Sequence, residues 1–130
     1  MGITALLDTH VLLWAAIEPE KLSVPAIELL ENLENRLLVS TASAWEISTK
    51  FRLGRLPHAK SLIRRYGQVL AQLGAHSLPI TDAHALKAGS WPIAHRDPFD
   101  RMLAAQAQLE SITLISADKA MDDFGINRVW

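Results

Sequence analysis

Short apolar runs set the strongest limit on what this chain can become. Ile3 to Leu7, Arg36 to Ser40 and Ile112 to Ile115 are each a few residues long, the length of a buried strand rather than a helix. Between them lie longer stretches with apolar residues at helical spacing. Val11, Leu12, Leu13, Trp14 and Ala15 follow the first run. Ser23 ahead of Pro25 marks a helix start, with Ile27, Leu29, Leu30 and Leu33 on its apolar side. Ser43-Ala44-Trp45-Glu46 has capping-box spacing and predicts a helix to about Leu53, stopped by Gly54. Ser61 to Leu73 predicts one further helix, ended by Gly74. Ser77 to Ile80 reads as a strand, and Thr81 or Asp82 caps a short helix to about Ala88. Asp97-Pro98 opens a helix that carries Met102, Leu103, Ala104 and Ala107. Asn127 to Trp130 reads as a last short strand. Strand and helix patterns alternate throughout, which predicts an α/β domain with a largely parallel sheet, a single domain over residues 1–130.

A chain of 130 residues can bury a core without disulfides, and this one has no cysteine. A disulfide framework and a thiolate zinc site are therefore excluded. The first eight residues carry no basic segment and reach Asp8 too early for a secretory signal. No apolar run approaches the roughly 20 residues that span a bilayer. The expectation is a cytoplasmic protein with no membrane association.

A formal net charge of −1 gives no overall attraction to nucleic acid, but the charge is unevenly placed. Glu18, Glu20, Glu28, Glu31, Glu34 and Glu46 dominate residues 18–46. Lys50, Arg52, Arg55, Lys60, Arg64 and Arg65 fall within residues 50–65, which hold no acid. Two readings are open: a solvated helical face, or a surface that contacts phosphates beside an acidic site.

In open α/β sheets, ligands collect beyond the carboxyl ends of the strands. Asp8 ends the first strand, Asp118 lies just past the strand at 112–115, Glu46 follows the strand ending near Ser40, and Asp100 sits in the first turn of the Asp97-Pro98 helix. Four carboxylates from separated parts of the chain can thus meet at one end of the sheet. Such a group needs raised pKa values or a cation. Hard carboxylate oxygens suit Mg²⁺ or Mn²⁺, which accept phosphate oxygens and activate water. Each acid also has a plainer use. Asp8 can cap the next helix, Glu46 can complete a capping box with Ser43, Asp97 is a good N-cap before Pro98, Asp100 can complement a helix dipole, and Asp118 can cap a short turn. The histidines His10, His58, His76, His84 and His95 show no zinc-ligand spacing. His95 lies near the proposed site, where it could touch a substrate, but reads more simply as a surface residue or one at a helix start, and the four tryptophans as core or interface. No nucleophile elbow, phosphate loop or dinucleotide fingerprint is present.

The chain resembles the PIN-domain ribonucleases, specifically the VapC-type toxins of bacterial toxin–antitoxin pairs. Four stretches carry the resemblance in order: Leu6-Leu7-Asp8-Thr9-His10; Ser43-Ala44-Trp45-Glu46-Ile47 with Lys50 and Leu53-Gly54-Arg55-Leu56; His95 to Ala107; and Leu114-Ile115-Ser116-Ala117-Asp118. It implies a PIN-like α/β/α sandwich and endonucleolytic RNA cleavage that depends on Mg²⁺ or Mn²⁺ and leaves 5′-phosphate and 3′-hydroxyl ends. It places catalytic and metal-holding roles on Asp8, Glu46, Asp100 and Asp118, with Thr9, Ser116 and Asp97 in support. Lys50, Arg52 and Arg55 are the candidates for steering RNA. The resemblance further implies a homodimer and a cognate VapB-like antitoxin. Two other readings compete with it. One is a PIN-like module that binds RNA or a partner without cutting. The other is a phosphotransfer domain with Asp8 as nucleophile, which the absence of an acid two residues after Asp8 disfavours.

Overall fold

The computed structural model describes residues 1–130. Strand β1 (Thr4–Leu7) leads into α1 (Thr9–Ile17), a single 3-10 turn and α2 (Val24–Glu31). Strand β2 (Arg36–Ser40) is followed by α3 (Thr41–Arg52), a 3-10 turn at Pro57–Ala59, α4 (Lys60–Arg64) and α5 (Tyr66–Gln72). Strand β3 (Ala75–Leu78) precedes α6 (Asp82–Ser90) and α7 (Pro98–Leu109). Strand β4 (Thr113–Ile115), a 3-10 helix at Lys119–Phe124 and β5 (Arg128–Val129) complete the order.

The five strands form one sheet in the order β3-β2-β1-β4-β5, and every pairing is parallel. β1 is the middle strand, with Leu6 opposite Leu38 on one side and Leu114 on the other. Alternate residues of the inner strands divide between two cores. Ala5, Leu7, Leu37, Val39 and Ile115 join Val11, Leu12, Ile47, Leu62 and Leu70 on one face. Leu6, Leu38 and Leu114 join Leu103, Ala104, Ala107, Met121 and Phe124 on the other. This is the two-residue repeat of a strand covered by helices on both faces. The α/β/α expectation is met.

Three local expectations need correction. The helix predicted from a Ser43 cap begins earlier, because Ser40 at the end of β2 caps it by accepting from the Ala42 amide. Ser43 therefore lies inside α3 and its hydroxyl turns elsewhere. The helix predicted over Ser61 to Leu73 is two, separated at Arg65, whose backbone (φ −116°, ψ 25°) leaves the helical region. Apolar spacing survives such a break, so periodicity does not reveal it. Strand β3 starts two residues sooner than Ser77. Gly74, at φ +67°, turns the chain straight into it, and Pro79 follows Leu78. β3 is an edge strand with an exposed His76 and Ser77, so its sequence lacks the apolar signature of β1.

Since Leu6 is fully buried at the centre of the second core, Leu6→Ala is expected to cost about 2–5 kcal/mol of unfolding free energy, read from urea denaturation at constant slope.

Candidate active site

The strand order reverses direction at β1: the chain moves outward through β2 to β3, then crosses back to β4 on the other side. The carboxyl ends of β1 and β4 therefore flank the natural crevice of the sheet. Asp8 and Ser116 occupy those ends. The Asp8 amide donates to the Ile115 carbonyl at 3.0 Å, which extends the β1–β4 pairing by one residue. Its carboxylate is 3% exposed and fully engaged: Oδ1 accepts from the Thr9 amide at 2.7 Å, and Oδ2 accepts from the Ser116 hydroxyl at 2.7 Å. Ser116 Oγ in turn accepts from the Asp118 amide at 3.0 Å. His10 Nε2 accepts from the Ala117 amide at 3.0 Å, which in the neutral ring leaves the proton on Nδ1, 3.6 Å from Asp8 Oδ2. Burial raises the Asp8 pKa above the ordinary carboxylate value, and the charge of Glu46 adds to the rise. His10, the Ser116 hydroxyl and the Thr9 amide oppose it.

Helix α3 brings the second acid. Ser43 and Glu46 are three residues apart and share a helix face. The Ser43 hydroxyl meets Thr9 Oγ1 at 2.9 Å and ties α3 to the start of α1. Glu46 is buried. Its Oε2 contacts the Lys50 ammonium, while its Oε1 is buried with no hydrogen-bond partner. Burial works against the charge on Lys50, yet the Glu46 contact and the nearby charges of Glu46, Asp97 and Asp100 outweigh it and hold the lysine pKa above its usual value.

The third group comes from the start of α7. Asp97 is its N-cap and accepts from the amides of Phe99 at 2.9 Å and Asp100 at 3.2 Å, the role expected of it. Asp100 Oδ2 meets His95 Nε2 at 2.9 Å. Burial pushes the Asp100 pKa up to about 6. The His95 contact works against that rise, and the charges of Asp8 and Asp97 work with it. Asp8, Glu46, Asp97, Asp100 and Lys50 thus share one electrostatic field.

Asp118 is placed differently from the rest. Its Oδ1 accepts from the Ala120 amide at 3.0 Å and caps the 3-10 helix that begins at Lys119. It is linked to Asp8 through Ser116 rather than directly. Arg52 and Arg55 are exposed on and just beyond the end of α3. Lys50, by contrast, is in contact with Glu46 and feels the charges of Asp97 and Asp100.

The convergence is looser than four acids aimed at a single point. No three acids or histidines stand close enough, as the side chains lie, to hold an ion. The physical cause is visible in the partners. Lys50 neutralises Glu46, His95 meets Asp100, and Asp118 satisfies a helix end. The residues nonetheless fit a hard divalent cation. The donors are carboxylate oxygens, Glu46 Oε1 is buried and unpartnered, and Asp8 and Asp100 have pKa values raised by burial and by neighbouring acids.

The sequence puts His95 near the site but favours a surface or helix-start role for it, puts Ser43 at a helix cap, and gives no separate role to His10, Arg101 or Arg128. Two signals were available. Ser43 shares a helix face with Glu46, and His95 stands five residues before Asp100, close enough to fold back across Pro98. Arg128 donates to the Ser116 carbonyl at 3.0 Å and pairs with Asp122, and so backs the loop that holds Asp8. No local pattern announces that contact.

Comparison with known proteins bears on the family and the fold. The chain is 30% identical over 121 residues to "Ribonuclease VapC22" of Mycobacterium tuberculosis, a match covering 91% of this chain and 89% of that protein. Among solved structures, VapBC2 from Rickettsia felis, bound to a DNA fragment from its promoter, superposes with a TM-score of 0.70 at 12% identity, covering 98% of each chain. FitAcB from Neisseria gonorrhoeae superposes with a TM-score of 0.69 at 19% identity, covering 97% of this chain and 96% of that one. Residues 5–127 match the PIN domain as a family, and the chain belongs to it.

Proposed function

We propose that this protein is an endoribonuclease dependent on Mg²⁺ or Mn²⁺ and acts as the toxin of a toxin–antitoxin pair. The observation that carries the reading is Asp8, a carboxylate buried at the sheet's switch point with Glu46 and Asp100 in its electrostatic reach. A relative named as a VapC ribonuclease and a fold shared with proteins of toxin–antitoxin complexes support it.

In this reading Asp8, Glu46, Asp100 and Asp118 hold the metal. When bound, the ion supplies an activated water and neutralises the charge that builds on the scissile phosphate. The Ser116 hydroxyl and the Thr9 amide fix the orientation of Asp8. The Ser43–Thr9 contact holds the α3 acid in register with it. Lys50 offsets the charge of Glu46, and would be free to meet the RNA backbone were a divalent cation to take over that charge. Arg52 and Arg55 extend that basic surface. Hydrolysis leaves a 5′-phosphate and a 3′-hydroxyl. The setting is the cytoplasm, where a VapB-like antitoxin covers the acidic groove. The chain pairs with a second copy through the apolar face around Trp45, which is 62% exposed against Phe99 and borders Ile80 and Met102. No helix is long and apolar enough to cross a membrane.

Asp8→Asn is expected to lower RNA cleavage more than about 100-fold with the circular dichroism spectrum unchanged. EDTA is expected to abolish wild-type cleavage, and Mg²⁺ or Mn²⁺ to restore it. Wild-type rates in Asp8→Asn overturn the site assignment, and RNA binding without cutting at any metal concentration favours the non-cleaving alternative. In metal-free protein, Asp100→Asn is expected to raise Tm by a few degrees at pH 7. The folded pKa of about 6 lies above the unfolded value, so the native state binds the extra proton and loses stability as pH climbs through that window. The gain is therefore full above about pH 6 and gone below about pH 4, and partial solvent contact keeps it modest. Trp45→Glu is expected to convert the dimer to a monomer by light scattering after gel filtration.

A further inference from the structure

His95 reaches Asp100 from residues 91–97, a segment without regular secondary structure. No backbone–backbone hydrogen bond involves residues 92–96. Something else must fix this segment, because an unanchored loop cannot hold a histidine against a partly buried carboxylate.

That anchor is Arg101, one residue after Asp100 in the first turns of α7. Its Nε donates to the Ala88 carbonyl at 2.8 Å, Nη1 donates to Ile93 at 2.7 Å and to His95 at 2.9 Å, and Nη2 donates to Trp91 at 2.5 Å. All four acceptors are main-chain carbonyls, and none is an acid. The charge is spent on shaping the chain rather than on an ion pair. His95 is thus held twice, through its carbonyl by Arg101 and through its ring by Asp100. The Phe124 ring, 5.3 Å away and tilted against the imidazole, backs it from the second core. Helix α7 itself is seated by Leu103, Ala104 and Ala107, none of which needs the guanidinium.

We propose that Arg101 is a positioning residue for the acid site: its planar fork templates residues 91–96 so that His95 holds Asp100 in register. A lysine keeps the charge but lacks the fork, so it cannot serve four carbonyls in fixed directions. The catalytic consequence rests on the ribonuclease reading above; the ordering of the loop does not.

The test compares Arg101→Lys, His95→Ala and the double variant with wild type. In metal-free protein, the backbone amide order parameters of residues 93–97 are expected to fall from about 0.85 to below about 0.6 in Arg101→Lys, with those of β1 and α7 unchanged. With Mn²⁺ and RNA, each single variant is expected to lose about 10- to 100-fold in kcat with KM within about 3-fold, the scale at which supporting contacts act. The double variant is expected to fall no more than about 3-fold below the weaker single, because one residue works through the other. Unchanged order parameters in the loop overturn the proposal. So does a loss of order throughout the protein or a failure of Arg101→Lys to fold, since either makes Arg101 a support of the whole fold. His95→Ala keeps every Arg101 bond, and wild-type kcat in that variant also overturns the proposal. Multiplying losses in the double variant overturn it as well. If wild-type protein cuts no RNA, the ribonuclease reading fails while the order parameters still decide the role of Arg101.

Discussion

The structure turns on a carboxylate that ought to be in water. Asp8 closes the middle strand of a parallel sheet, where both faces are covered and solvent is remote. Burying that charge is costly. The fold offsets part of the cost with an amide at the start of α1, a serine hydroxyl at the end of β4 and a histidine edge-on to the same oxygen. The Ser116 hydroxyl comes from the end of the neighbouring strand and the other two groups from the start of α1. The position of β4 and the start of α1 can therefore be read as consequences of making one acid tolerable, in addition to packing apolar surface.

The surrounding charges form a balance of partly met demands. Glu46 has a lysine on one oxygen and nothing on the other. Asp100 has a histidine, yet burial and two neighbouring acids still push its pKa up. Asp118 is committed to a helix end. Glu46 Oε1 can take up a cation without giving up a contact, while Asp8, Asp100 and Asp118 each hold a partner, so the side chains face one another without closing on a point.

Much of this was legible in the sequence, for physical reasons that differ by element. β1, β2 and β4 were visible because a strand buried on both faces has to be apolar. α7 was visible because Asp97-Pro98 combines a cap with a residue that fits only the first turn. Asp8 and Asp118 stood out because each lies just past a strand, and Asp100 because it lies in a first turn; Glu46, in the middle of α3, has no such marker. The missed features lack a local signature. The break at Arg65 preserves apolar spacing, β3 is an edge strand with little apolar face, and Ser40 rather than Ser43 caps α3 because a strand end, not a tetrapeptide pattern, decides where the helix starts. Arg101 makes its contacts through main-chain carbonyls, and a carbonyl carries no residue identity to read.

The bond between Ser116 and Asp8 joins residues 108 apart in sequence. A chain emerging from the ribosome exposes its first acid early, then completes β2, α3 and α7 before the serine that restrains it exists. Until β4 docks, Asp8 is a surface aspartate with no fixed direction. The full set of partners at Asp8 is therefore complete only once nearly the whole chain is available to fold.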